Sequence, residues 1–385
     1  MDVEKAKQDL ENQTRGKTMS IESGGVVEPT RDTTSGNSNK SRLMVFLIGL
    51  NVLLSALGNT GGPLMSRLYF HKGGKREWLS AFLETAGFPI LLLPMYLSYR
   101  SRRRRNPTAS FFLSTPKVLL ACVILGILTG VDDYLYAYGL SFLPASTSSL
   151  LISTQLGFTA FFAFLVVRQR FTSFSLNAVA LLTVGAVVLG LHGSSDRPSG
   201  QSNGDYYKGF FLTLGCAALY GLILPLIELT YKKANQEITY SLVVEMQLVM
   251  GAFATLFCAI GMIFAKDFQA IPDEAKNFEL GEVRYYVVLV WCSIFWQFFF
   301  VGTVGVIFCV HTLLTGILIA GFIPITEVLS VICFNEKFGS NKAIALALSL
   351  WGLASYSYGD YFETKQKKKE AALRAKILEE CSRNN

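Results

Sequence analysis

Between Leu128 and Gln155 the chain reads LTGVDDYLYAYGLSFLPASTSSLLISTQ. Two adjacent carboxylates, Asp132 and Asp133, lead into a tyrosine ladder of Tyr134, Tyr136 and Tyr138. A proline follows, then Ser146, Thr147, Ser148 and Ser149, then Ser153, Thr154 and Gln155. Long apolar runs flank the stretch on both sides. Ionisable groups placed within such runs are expensive and generally line an internal cavity or pathway. These residue types accept and exchange protons, and they recognise a small solute through hydrogen bonds.

The same kinds of residue recur within the other apolar runs. Asn51 and the string Asn59, Thr60, Gly61, Gly62 and Pro63 fall in the first run, and Glu84 falls in the second. Glu228 lies near the end of the sixth, Glu245 and Gln247 in the seventh, Trp291, Trp296 and Gln297 in the eighth, and Glu327 in the ninth. No Lys or Arg lies clearly inside a run; Arg67 is close enough to an end to reach outward. That asymmetry constrains the solute. A phosphorylated compound needs cationic partners, so a nucleotide-sugar or sugar-phosphate exchanger fits poorly. Carboxylates, amides and rings suit a flat, neutral or weakly basic heterocycle, whose faces stack on Trp and Tyr and whose edge bonds to Asn, Gln, Asp and Glu. A carboxylate shielded from water also holds its proton at higher pH. Proton exchange at such a group would lower the cost of turning a loaded site across a membrane.

On these grounds Asn59, Asp132, Asp133, Tyr134, Gln155, Glu245, Gln247, Trp296 and Gln297 are the expected solute contacts. Glu245, Asp132 and Glu84 are the expected proton carriers. Two readings stand for Glu84 and Glu245, which begin about one and a half turns into their runs: helix-start acids near the interface, or groups on the pathway. For Glu245, Gln247 beside it and the echo from Glu84 in the other half of the chain favour the second; for Glu84 the two readings stay open. Gln155 suits an interhelical hydrogen bond as well as a ligand contact. Asn59 to Pro63 reads as a kink or as unwound backbone facing a solute.

The elements that must hold these groups are ten apolar runs, near 43–70, 79–99, 117–140, 146–167, 174–192, 207–231, 240–265, 284–309, 312–334 and 342–362. Most are about 20 residues long, enough to cross a bilayer core of roughly 30 Å. Of the 385 residues, 51% are hydrophobic and only 16% are charged, against roughly 25% charged in a soluble domain. The expected architecture is therefore an all-α polytopic membrane protein. The net charge of +7 is explained by loops facing anionic lipid rather than by a nucleic-acid partner. The seven cysteines form no CxxC pair and read as small core residues. No P-loop, HExxH, GxSxG or glycine fingerprint is present, which excludes the familiar soluble enzymes, calls for no cofactor and makes any transport secondary. The alternatives are an organelle antiporter for nucleotide sugars or sugar phosphates, or a non-transporting membrane receptor for the same ligands.

Residues 1–42 form a polar tail, disordered by composition and unlike a signal peptide. A first half spans 43–192, a connecting loop 193–206, a second half 207–362, and a charged tail 363–385. Counting Lys and Arg places both termini in the cytosol. Arg100, Arg102, Arg103, Arg104, Arg105, Lys117, Arg168, Arg170, Lys232, Lys233 and the lysines at 365–369 all fall on one side. The loop at 71–77, with Lys72, Lys75 and Arg76, is the exception. The halves also echo each other. Residues 166–190 align with 332–357, matching Phe171 with Phe338, Ser173 with Ser340 and Gly185 with Gly352; 63–70 aligns with 225–232, matching Pro63 with Pro225 and Tyr69 with Tyr231. A duplicated unit with an odd number of spans must be inverted, with the site at mid-membrane between the copies.

Four stretches carry a family likeness. GNTGGPLMSRLYFHKGG, LPASTSSLLISTQLGFTAFFAF, VVRQRFTSFSLNAVALLTVGAVVLGLH and YSLVVEMQLVM resemble the plant purine permeases of the drug/metabolite transporter superfamily, and the likeness runs from about 42 to 362. It implies ten helices in two inverted five-helix repeats and proton-coupled import of purine bases, cytokinins or related nitrogenous heterocycles. The plasma membrane is the expected site, ahead of an internal membrane.

Overall fold

The computed structural model describes residues 34–108, 110–168, 173–191, 202–234, 236–310, 312–335 and 338–383. The tail up to 33, most of the loop at 193–206, Phe171, Arg170 and His311 lie outside the described residues. Contacts divide the chain into Met1–Leu43 and Met44–Asn385; all packing below belongs to the second unit. Among the described residues every regular element is helical: α1 Thr34–His71, α2 Glu77–Thr85, α3 Leu92–Arg105, α4 Pro116–Phe142, α5 Ala145–Ile152, α6 Gln155–Val167, α7 Ser173–Leu191, α8 Asn203–Lys233, α9 Tyr240–Ala265, α10 Asp267–Asn277, α11 Glu282–Cys309, α12 Thr312–Phe334 and α13 Ser340–Arg383.

In the bilayer core a chain must satisfy its backbone internally, and helices do so within one segment. Eight stretches are long and apolar enough to cross: α1 from Met44, α2 with α3, α4, α5 with α6, α8, α9, α11, and α12 from Thr315. A ninth apolar stretch, Leu176–Val188 in α7, is shorter. The molecule is thus an integral, multi-pass membrane protein. Several boundaries differ from the sequence expectation. The first helix begins at Thr34, inside the segment assigned to a polar tail. The acidic loop near 273–282 contains a short helix, α10. The last helix runs unbroken from the apolar stretch to Arg383, because Ala, Leu, Glu and Lys after 362 are good helix formers.

Two expected spans are broken. Pro89 lies in a 3-10 turn, Phe88–Leu91, between α2 and α3; without an N–H it cannot continue the ladder. The joint between α5 and α6 has no proline. There the Ser153 hydroxyl donates to the Leu150 carbonyl (2.6 Å) and the Thr154 hydroxyl to the Leu151 carbonyl (2.7 Å). Such side-chain bonds compete with the helical ladder and open it. Pro63 in α1, Pro225 in α8 and Pro324 in α12 sit inside helices, and each leaves the carbonyl one turn earlier without its usual partner.

Helix α4 packs against α2, α8 and α9, α6 against α8, and α7 against α13. Helix α1 meets α11 at glycines. A Cβ added to Gly58 would stand 2.2 Å from the Phe299 backbone nitrogen, and one on Gly302 would stand 2.3 Å from the Ser55 nitrogen. Small residues permit such close approach in membranes, where packing replaces the hydrophobic drive between helices. Between α7 and α13, Gly185 lies against Ala345 and Leu348, while Gly352 lies against Ala178 and Leu181.

One end of the bundle is fastened by α10. The Glu274 carboxylate accepts from the Tyr69 hydroxyl (2.5 Å), the Tyr285 hydroxyl (3.0 Å) and the Lys75 amide (3.2 Å). Arg76 pairs with Asp267 at 3.5 Å, and Lys72 pairs with Glu279 at 3.0 Å. Burial pushes the Asp267 carboxyl above the usual carboxylate range, and Arg76 beside it draws it back. The cations that break the charge count at 71–77 are therefore largely met by acids following α9.

Candidate functional site

Where α1, α2, α4, α8, α11, α12 and the α5–α6 joint converge, they line a cavity of about 60 Å³. Its polar wall is made by Asn59, Glu84, Asp132, Asp133 and Gln155. Helix geometry explains the convergence: Asp132, Asp133 and Tyr136 share one face of α4, one turn apart. The three acids are buried to 5% exposure or less. No Lys or Arg among the described residues lines the cavity. Among the described residues Glu84 Oε1, Asp132 Oδ1, Asp133 Oδ2 and Gln155 Nε2 lack a hydrogen-bond partner. Buried polar atoms are nearly always satisfied, and four that are not adjoin this one hollow. The Cys216 thiol meets the Asp132 carboxylate. Asn59 Nδ2 donates to the Ile319 carbonyl at 3.0 Å, which leaves its Oδ1 as an acceptor.

The lining also carries rings: Tyr220, Trp296, Phe299 and Phe300, with Tyr136 beside the acids on α4. Trp296 is held from three directions. Its Nε1 donates to Ser66 Oγ at 3.0 Å, and Ser66 in turn lies 3.4 Å from Cys292 Sγ. Tyr136 and Phe299 meet the ring edge-on at 5.4 and 5.6 Å. The indole packs on Gly62, where a Cβ would stand 2.9 Å from Cδ2 and Cε2, the bond its two rings share. With its N–H committed to Ser66, Trp296 offers a ligand its π surface.

The structure brings Asn59, Glu84, Asp132, Asp133, Gln155 and Trp296 to one cavity and leaves four expected contacts elsewhere. Tyr134 points off the α4 face that carries Asp132 and Asp133, and stacks on Trp78 at 3.9 Å. Gln247 and Gln297 are buried but do not line the hollow. Glu245 is also outside the lining. Its carboxylate accepts from the amides of Leu113 (2.8 Å) and Ser114 (2.9 Å) and from the Ser114 hydroxyl (2.5 Å), so it secures the segment that leads into α4. We expect Glu245→Gln to lower stability by about 2 kcal/mol, since it removes charge-assisted bonds and aims an amide N–H at other donors. Thermal denaturation in detergent measures this; a displaced pH profile of uptake with unchanged stability would instead make Glu245 a proton carrier. Sequence reasoning missed Cys216, Tyr220, Phe299 and Phe300. An aromatic residue in an apolar run carries no mark that separates a cavity wall from ordinary core.

Long apolar helices ringing a cavity lined by buried acids, amides and rings define the class as a multi-pass membrane protein. A family model described as purine nucleobase transmembrane transport matches residues 46–367, and the chain belongs to that family. Purine permease 3 of Arabidopsis thaliana is 50% identical over 326 residues, covering 84% of this chain and 93% of the relative. Purine permease 2 of the same plant is 48% identical over 347 residues, covering 86% and 97%. Purine permease 21 is 34% identical over 312 residues, covering 81% and 80%. The relatives are permeases, so the chain is a transporter and not an enzyme.

Proposed function

We propose that the chain is a proton-coupled secondary transporter that imports purine bases, cytokinins and similar nitrogenous heterocycles through the cavity at Asp132 and Trp296. The observation that carries this reading is the set of three buried carboxylates with unpartnered oxygens, lining with a tryptophan a hollow that no Lys or Arg among the described residues lines. A cation-free acidic site at membrane depth is stable to reorientation only when it is neutralised. A proton supplies that neutralisation while adding little bulk. Asp132 and Glu84 take the proton, with Asp133 adjoining both. Gln155 and Asn59 read the heterocycle edge, and Trp296 stacks on its face. The apolar lining from Ile152, Ile319 and Ile323 suits a hydrocarbon substituent of the cytokinin kind. Glu245 contributes by holding the approach to α4, the helix that carries two of the acids.

Ten crossings in two inverted five-helix repeats accommodate this mechanism. The eight long spans, the apolar stretch in α7 and the apolar part of α13 make the ten. The pairing of Lys72 and Arg76 with acids supports the remaining charge count, with both termini in the cytosol, and the plasma membrane is the site of import. The missing phosphate-binding cations speak against an organelle exchanger of phosphorylated sugars. The test is uptake of labelled adenine into proteoliposomes holding the full chain. Uptake should rise when the outside is acidified and collapse with a protonophore. Uptake indifferent to both would remove the coupling; binding without flux would make the chain a receptor.

A further inference from the structure

The contact between α7 and α13 is self-complementary. The spacing that pairs Gly185 with Gly352 also pairs Ala178 with Ala345 and Leu181 with Leu348. In the structure Gly185 lies on Ala345 and Leu348, and Gly352 lies on Ala178 and Leu181. Each contact is the image of the other, as at a two-fold axis where one patch meets its own copy. Carried back without gaps to α4 and α5 in the first half and α11 and α12 in the second, the same register pairs Asp132 with Phe299, Asp133 with Phe300 and Ile152 with Ile319, while α1 pairs with α8 five residues out of that register. All six of these residues line the hollow. A register taken from one helix pair thus recovers cavity partners on four further elements.

We propose that the cavity is two equivalent half-sites whose chemistry has diverged: the first half presents carboxylates at 132 and 133, and the second presents rings at the matching 299 and 300. This rests on the transport reading given above and extends it to a division of labour. A planar heterocycle lies with its N–H edge toward Asp132 and Asp133 and its π face toward Phe299 and Phe300. Phe299 and Phe300 are accordingly specificity-determining residues that select by ring area, while their acidic counterparts set the response to protons. Phe299 is braced for this by Trp296 at 5.6 Å and by Tyr220 at 5.8 Å, with its backbone pressed against Gly58.

The experiment compares adenine with 4-aminopyrimidine, which keeps the amine edge and loses one ring, in proteoliposomes of the full chain. Phe299→Leu should raise the KM for adenine about tenfold, as loss of a base-stacking ring does, with kcat nearly unchanged. The preference for adenine over 4-aminopyrimidine should shrink, and the pH profile should stay in place. Phe299→Tyr, which keeps the ring, should retain the wild-type preference. Asp132→Asn should do the converse, flattening the pH profile while the preference persists in exchange assays. Wild-type uptake combined with an unchanged preference in Phe299→Leu, or a loss in Phe299→Tyr as large as in Leu, overturns the half-site assignment alone. Wild-type vesicles that neither take up nor bind either compound overturn the transport reading and the assignment with it.

Discussion

Asp132→Asn should transport without accumulating. For one proton per neutral solute at zero membrane potential, each unit of pH gradient supports about a tenfold concentration ratio, because one such unit is worth about 1.4 kcal/mol. Wild-type vesicles should follow that slope, and the variant should settle near a ratio of about one. The substitution is nearly isosteric. Asp132 Oδ1 has no partner to lose among the described residues, so folding should survive, and the amide still has an oxygen for the ligand edge. Exchange of labelled for unlabelled adenine across the membrane should therefore continue, which separates lost coupling from lost protein. A variant that still accumulates adenine along the wild-type slope would take Asp132 out of the proton path.

Gly62→Ala should weaken adenine binding nearly as much as Trp296→Ala. A methyl group at position 62 would lie 2.9 Å from Trp296 Cδ2 and Cε2, closer than van der Waals contact allows. Ser66 holds the ring by its N–H, and the Tyr136 and Phe299 rings stand near-perpendicular to it at 5.4 and 5.6 Å, so we expect the strain to be relieved on the cavity side. That is where the heterocycle would lie. Removal of Trp296 should cost roughly 1–3 kcal/mol of affinity, the range for base–aromatic stacking. Added to Trp296→Ala, the Gly62→Ala change should cost little more, because the group it displaces is already gone. Affinities from competition against labelled adenine complete the cycle; additive losses would show that Gly62 acts elsewhere.

Much of this site could be read from residue types alone. Acids and amides within apolar runs are costly, and Glu84, Asp132, Asp133, Asn59 and Gln155 do meet at one cavity. What the sequence does not contain is the azimuth of each side chain. Tyr134 and Tyr136 are two positions apart on α4, yet one stacks on Trp78 and the other lines the hollow. Glu245 looked as eligible as Glu84, and only the fold brings the amides of Leu113 and Ser114, more than a hundred residues earlier, to its carboxylate. The helix breaks were partly visible. Pro89 announces one, whereas the joint at Ser153 and Thr154 depends on hydroxyls bonding back to carbonyls, which serines and threonines in other helices do without breaking them.

Glu274 joins the ends of α1 and α11 and the approach to α2 at a single carboxylate. If Tyr69 and Tyr285 part, Glu274 keeps one of them and loses the other, and the Lys75 amide on the Tyr69 side weights that choice. The carboxylate therefore acts as a pivot that stays with one helix end, not as a bond that the two ends share equally.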